Sequence, residues 1–183
     1  MDFLFNKNHH FNLANLTTFM NIASGIIAIY FLTHQEFIFA AAFAWLGGAF
    51  DIIDGKIARK YKLSTEFGIQ LDSYADFLSF VIVPVMYIYF AIFESSMINK
   101  ALLAFVFIFY VVSGLRRLIQ FNIDAQEGEV TKYFTGIPTP LGAILLFCAY
   151  LAWNTGYMPE ELILVFMILV AYLLNSKIKI PHP

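Results

Sequence analysis

Asp51-Ile52-Ile53-Asp54-Gly55-Lys56-Ile57-Ala58-Arg59 and, after eight intervening residues, Gly68-Ile69-Gln70-Leu71-Asp72-Ser73-Tyr74-Ala75-Asp76 place four carboxylates beside long apolar runs. On a helix, Asp51 and Asp54 are three apart and share a face, as do Asp72 and Asp76, four apart, so two helices can aim two carboxylates each at one point. Left bare in a bilayer, each acid costs roughly 2.5 to 3.5 kcal/mol on insertion scales. Lipid-facing acids are therefore excluded, and the cluster asks for cations. Hard divalent ions with oxygen ligands are the natural ones.

Small residues surround the acids. Gly47, Gly48, Asp51, Asp54, Gly55 and Ala58 share about half of one helix surface, and Gly68, Asp72 and Asp76 recur every four residues on the next. With no bulky side chains there, helices or a ligand can approach the carboxylates closely. Arg59 lies about two turns beyond Asp51, where a guanidinium can grip a phosphate.

The chain around this stretch is 60% hydrophobic and 13% charged over 183 residues, with apolar runs too long and frequent for a soluble core. The expected fold is all-α, a polytopic membrane protein of six transmembrane helices in one domain, 1–183. A membrane span takes about 20 helical residues. The six stretches are 13–33, 37–53, 72–93, 101–118, 140–153 and 158–175, the last two being short; together they make a core over 13–176. Residues 1–12 mix Phe3, Leu4, Phe5 and Phe11 with Asn6, Lys7, Asn8, His9 and His10, which predicts a short interfacial helix. His9 and His10 read as solvated or headgroup-facing.

Loop charges set the orientation. Placing the N-terminus, segments 55–71 and 116–137 and the C-terminus on one side puts every Lys and Arg there except Lys100. By the positive-inside rule that side is cytoplasmic, so both termini and the acidic stretch face the cytoplasm across the cytoplasmic (inner) membrane. Lys56, Lys60 and Lys62 serve topology and headgroup attraction. No cleavable signal is expected, because the first apolar segment is long and only Lys7 precedes it. The single Cys148 excludes an intramolecular disulfide and reads as core packing. The net charge of −2 gives no reason to expect nucleic acid.

The first span carries Asn15, Thr18, Asn21 and Gly25, a polar and small stripe that reads either as helix packing or as a wall for a nucleotide. Ser64 or Thr65 can cap the helix bearing Asp72 and Asp76, with Glu66 near its positive end, and Pro84 is placed to kink it. Arg116 and Arg117 sit at a cytoplasmic helix end, as positive-inside anchors or as holders of a carboxylate. Thr139 as N-cap and Pro140 as first helical residue would open the fifth span and offer free N–H groups to an anion.

The acidic stretch reproduces D-x2-D-G-x2-A-R-x8-G-x3-D-x3-D without a mismatch and resembles the CDP-alcohol phosphatidyltransferases. Asn15, Thr18, Asn21 and Gly25 are similar to the first-helix pattern of that family, with Ala14 where a Pro is usual. Further on, Arg117, Phe121, Asn122, Phe134, Gly136, Pro138 and Pro140 resemble the integral-membrane phosphatidylserine synthases, and Gln120 stands where those have Arg or Lys. The resemblance runs from Asn15 to the C-terminal stretch. It implies an enzyme with two divalent cations, Mg²⁺ or Mn²⁺, on Asp51, Asp54, Asp72 and Asp76. A CDP-linked lipid, CDP-diacylglycerol, would lie against Asn15, Thr18, Asn21, Gly55, Ala58, Arg59 and Gly68, and the chain would act as a homodimer among membrane lipids.

With the resemblance in hand, Asp76, last in the motif and deepest on its helix, is the candidate base for an acceptor hydroxyl. L-serine is the expected acceptor, with Arg116, Arg117, Asn122 and Thr139 as its contacts, since bidentate Arg suits a carboxylate and rejects an uncharged alcohol such as inositol. Glycerol 3-phosphate as acceptor is the alternative within the family. A divalent cation transporter is the alternative of another class, but it calls for acid pairs near the bilayer midplane, whereas these four gather near one face. A prenyl transferase gives no reason for the D-G-x2-A-R run, and too few basic residues share these faces for a purely structural set of salt bridges.

Overall fold

The computed structural model describes residues 2–7, 9–126, 133–176 and 179–181, and the architecture is helical, as expected. Seven α-helices follow in order: α1 Leu13–Thr33, α2 Phe37–Lys60, α3 Glu66–Asp76, α4 Val83–Ile88, α5 Lys100–Gln126, α6 Thr139–Asn154 and α7 Glu160–Leu174. A short antiparallel pair, β1 Tyr133–Thr135 with β2 Lys179–Pro181, is the one departure from helix and turn among the described residues. Four helical runs are long and apolar enough to cross a membrane: Leu13–Thr33, Phe37–Lys60, Glu66–Phe93 and Lys100–Asp124. α6 is a shorter apolar helix and α7 spans 15 residues, so four long spans stand where six were expected, with these two helices in the places of the two short ones.

The chain divides into two compact units, Met1–Ser79 and Phe80–Pro183. In the first, α1 packs on both α2 and α3. The stripe read from sequence, Asn15, Thr18, Asn21 and Gly25, is buried on α1, with Ser24 beside it. Asn21 accepts a 2.6 Å hydrogen bond from Ser79 Oγ, and a Cβ on Gly47 would sit 3.0 Å from Asn21 Oδ1, so a bare backbone lets α1 and α2 meet. Such interhelical bonds contribute on the order of 0.6 kcal/mol each. Asn12 caps α1 by accepting from the Asn15 N–H at 3.0 Å, which explains why the helix begins well without the expected proline.

α2 runs past residue 53, the end of the expected span, to Lys60, which keeps Asp54, Gly55 and Ala58 on the helix face expected of them; Lys56 to Lys60 are all residues a helix accepts. The chain then turns sharply through Lys62 at φ 55, with the Leu63 N–H bonded to Ala58 O at 2.9 Å. Thr65 caps α3 by accepting from the Gly68 N–H at 3.0 Å, with Glu66 in the first turn, as the sequence suggested. In the N-terminal stretch the described helix is one 3-10 turn, Asp2–Phe5.

The second unit packs α5 and α6 against α7, and α4 against α6, around Val81, Val83, Val106, Tyr110, Leu146, Met167 and Leu174. Pro84 has no N–H to give, and the helix leading into it takes a π turn over Phe77–Ile82, followed after α4 by another over Tyr89–Phe93. The N-cap of α6 is Pro138, not Thr139: Pro138 is extended at ψ 151, which moves the helix start one residue earlier and puts Thr139 and Pro140 in its first turn. Cys148 is exposed, a correction to the packing role read from sequence. The buried face of α6 runs through Gly142, Leu146 and Ala149, and Cys148 lies off that face. Large apolar side chains are widely exposed along the helices, Phe105 at 65% and Ile108 at 63% among them, the pattern of a surface meant for lipid rather than water.

Candidate functional site

α2 and α3 bring Asp51, Asp72 and Asp76 together: each offers a carboxylate oxygen, and the three atoms lie within 4.8 Å of one another. Helical spacing does the placing. Asp72 and Asp76 fall one turn apart on α3, and Asp51 reaches them from α2. Asp54 stands outside this triad but within its field, interacting with Asp51 and Asp72, and is itself 4% exposed. Thr18 and Gly55 line the same cavity wall as its carboxylate, and the Thr18 hydroxyl donates to Ala14 O at 3.1 Å.

Two buried carboxylate oxygens, Asp54 Oδ2 and Asp76 Oδ1, have no hydrogen-bond partner among the described residues. An unpaired buried acceptor is costly, more so among like charges. A hard cation with oxygen ligands answers that cost, and three carboxylates from two rigid helices are a donor set such an ion accepts. The residues present therefore fit a divalent metal.

Beside the acids lies a cavity of about 180 Å³ lined by Ala14, Asn15, Thr18, Asp54, Gly55, Ala58, Arg59, Leu63, Ser64, Gly68, Ile69 and Asp72. Six of the seven residues expected against a nucleotide-linked lipid are there: Asn15, Thr18, Gly55, Ala58, Arg59 and Gly68. Asn21 does not line it and works in helix packing. The Arg59 guanidinium folds back over Gly55, where a Cβ would sit 3.4 Å from Nη1. Gly68 is narrower still, since a Cβ there would meet Asn15 Oδ1 at 2.9 Å. Asn15 is held in turn, its Nδ2 donating to His10 O at 3.0 Å. Ser64, Leu63 and Ile69 also line the wall and were not anticipated in that role, since the sequence marks Ser64 only as a possible helix cap.

A wider groove of about 540 Å³ shares Ser64 and Ile69 with this cavity and adds Lys7, His9, His10, Thr65, Glu66 and Phe67. His10 packs its ring 4.4 Å from Phe67, and His9 Nδ1 accepts from the Phe11 N–H, so neither histidine joins the acidic cluster.

The residues expected to meet an acceptor lie in the second unit. Arg116 Nη1 donates to Asn175 Oδ1 at 2.8 Å, and Asn175 Nδ2 donates to Ser113 O at 3.0 Å, which ties α5 to the end of α7. Arg117 is buried, 5% exposed, and its Nε donates to Ile137 O at 3.2 Å. Thr139 is buried in the first turn of α6, and Asn122 is half-buried near the end of α5.

Residues 11–175 match the family described as CDP-alcohol phosphatidyltransferase. The chain is similar to the CDP-diacylglycerol-serine O-phosphatidyltransferase of Helicobacter pylori, 31% identical over 173 residues that make up 92% of this chain and 71% of the relative. The protein of that name in Saccharomyces cerevisiae is 32% identical, over 96% of this chain and 74% of its own. The archaetidylserine synthase of Methanothermobacter thermautotrophicus is 32% identical, over 93% and 70%.

Proposed function

We infer from the chain's place in the CDP-alcohol phosphatidyltransferase family, to which it belongs, that it transfers the phosphatidyl group of CDP-diacylglycerol to L-serine, giving phosphatidylserine and CMP. The observation that carries the reading is the Asp51, Asp72 and Asp76 triad beside a cavity walled by the other motif residues. Asp51, Asp54, Asp72 and Asp76 would hold two divalent cations, Mg²⁺ or Mn²⁺. Such ions polarise phosphoryl oxygens and stabilise the departing phosphate.

Arg59, on the cavity wall, grips the diphosphate of the CDP-lipid, while Asn15, Thr18, Gly55, Ala58 and Gly68 shape the space for it. Asp76 takes the proton of the serine hydroxyl as that oxygen bonds to the lipid-borne phosphorus. The bond from this phosphorus to the CMP oxygen breaks, and CMP leaves with the electron pair. General-base help of this kind is worth roughly 100- to 10,000-fold. The buried Arg117, with Asn122 and Thr139, receives the serine, and Arg116 holds the end of α7 nearby.

The same proposal places the chain in the cytoplasmic membrane as one catalytic domain, with both termini and the acidic motif facing the cytoplasm, residues 1–12 at the interface, and a homodimer as the working form. The test is incorporation of labelled serine, glycerol 3-phosphate or inositol into lipid by purified protein in CDP-diacylglycerol vesicles. Serine incorporation is expected. Incorporation of glycerol 3-phosphate alone would replace the acceptor and keep the rest.

A further inference from the structure

We propose that Arg117 and Asp124 on α5 form a two-ended clamp for a free α-amino acid, Arg117 taking its carboxylate and Asp124 its ammonium group; this rests on the serine-transfer reading above. Arg117 is 5% exposed, and the hydrogen bond it makes among the described residues runs from Nε to Ile137 O at 3.2 Å. That bond fixes the plane of the guanidinium and leaves the Nη edge for a ligand. Burying a guanidinium to satisfy one backbone carbonyl costs more than the bond returns, whereas a bidentate carboxylate matches the remaining fork. Arg116 does not offer the same, because its Nη1 is engaged by Asn175.

Asp124 lies seven residues further along α5, two turns and about 10 Å up the same face. Its charge acts on Arg117, yet the two close no ion pair among the described residues. Gln120, one turn before Asp124, donates from Nε2 to Asp124 Oδ1 at 2.7 Å. A neutral amide orients the carboxylate without cancelling its charge, so Asp124 keeps a negative end to offer a cation. Opposite charges held apart along one face suit a zwitterion, which carries both within a single small molecule. They also disfavour a phosphate ester such as glycerol 3-phosphate, whose dianion would face Asp124 with nothing to give it.

The experiment measures KM for L-serine and for CDP-diacylglycerol with the full-length enzyme in vesicles. Glycerate, which lacks the ammonium, and ethanolamine, which lacks the carboxylate, serve as probe acceptors. Asp124→Asn should raise the serine KM by at least about tenfold, leave the CDP-diacylglycerol KM unchanged, and narrow the preference for serine over glycerate. Asp124→Glu should recover part of the serine affinity. Arg117→Lys should instead narrow the preference for serine over ethanolamine. An active Asp124→Asn enzyme with unchanged serine KM and unchanged serine-to-glycerate ratio would overturn the clamp and leave the function standing. Equal loss of CDP-diacylglycerol affinity in both Asp124 variants would overturn it too, by making Asp124 a structural residue. A wild type that ignores serine brings down the function and the clamp together.

Discussion

Asp76 keeps one carboxylate oxygen buried without a hydrogen-bond partner among the described residues, while Asp51 and Asp72 press their oxygens to within 4.8 Å. A group left in that position is under electrostatic load that only a cation or a proton relieves, which suits both a metal ligand and a base. Asp76→Asn removes the charge and keeps the shape. Turnover should fall roughly 100- to 10,000-fold with CDP-diacylglycerol binding retained, as read by product formation and by a binding titration. Gly68→Ala pushes a Cβ to 2.9 Å from Asn15 Oδ1, so Asn15 must shift and the cavity wall with it. Its CDP-diacylglycerol KM should rise several-fold while the serine KM holds. That Asp72 and Asp76 meet Asp51 was legible from spacing, because helix geometry turns an interval of four into a shared face. Spacing did not reveal that Asp54 stands outside the compact triad, since that depends on how α2 is rotated against α3. Nor did it separate Asn21 from Asn15: both lie on one stripe of α1, and what each meets, Ser79 in one case and the cavity in the other, is decided by other helices.

At the scale of elements, caps and bare backbones carry the architecture. Thr65→Ala removes the acceptor for the Gly68 N–H and should cost about 1 kcal/mol, lowering thermal stability with little change in serine selectivity. Gly114 meets the helix before α4 so closely that a Cβ would lie 2.7 Å from Val81 Cγ2. Gly114→Ala should destabilise the protein by about 1 to 3 kcal/mol, and Val81→Ala in the same chain should restore part of it, measured by thermal unfolding in detergent. Capping residues and helix existence were readable because they are local: Thr65 and Glu66 announce α3 in the sequence itself. The π turns on either side of Pro84 were not, since no local residue pattern specifies an extra residue per turn. The shift of the α6 cap to Pro138 reflects the extended backbone of that residue, a choice that Thr139 and Pro140 leave open by one position.

For the whole molecule, the exposed apolar surface and four long apolar helices make a membrane protein, and the charge pattern gives a direction to test. On a Cys148→Ala background, Met97→Cys and Lys7→Cys should react from opposite sides with a membrane-impermeant thiol reagent. Met97→Cys should label in right-side-out vesicles and Lys7→Cys only in inverted ones; labelling of both from one side would refute the orientation. Helix count was less legible than helix character, because α6 and α7, of 16 and 15 residues, fall below the length that marks a span unambiguously. On the proposed function, the aspartates of α2 and α3 form a metal-dependent centre for phosphatidyl transfer. The measurement is CMP release from CDP-diacylglycerol and serine by purified protein, before and after chelation with EDTA, with Asp51→Asn and Asp76→Asn alongside. Serine-dependent release is expected that EDTA abolishes, that Mg²⁺ or Mn²⁺ restores, and that both variants lack. Release that persists in EDTA, or in the two variants at the wild-type rate, would contradict it.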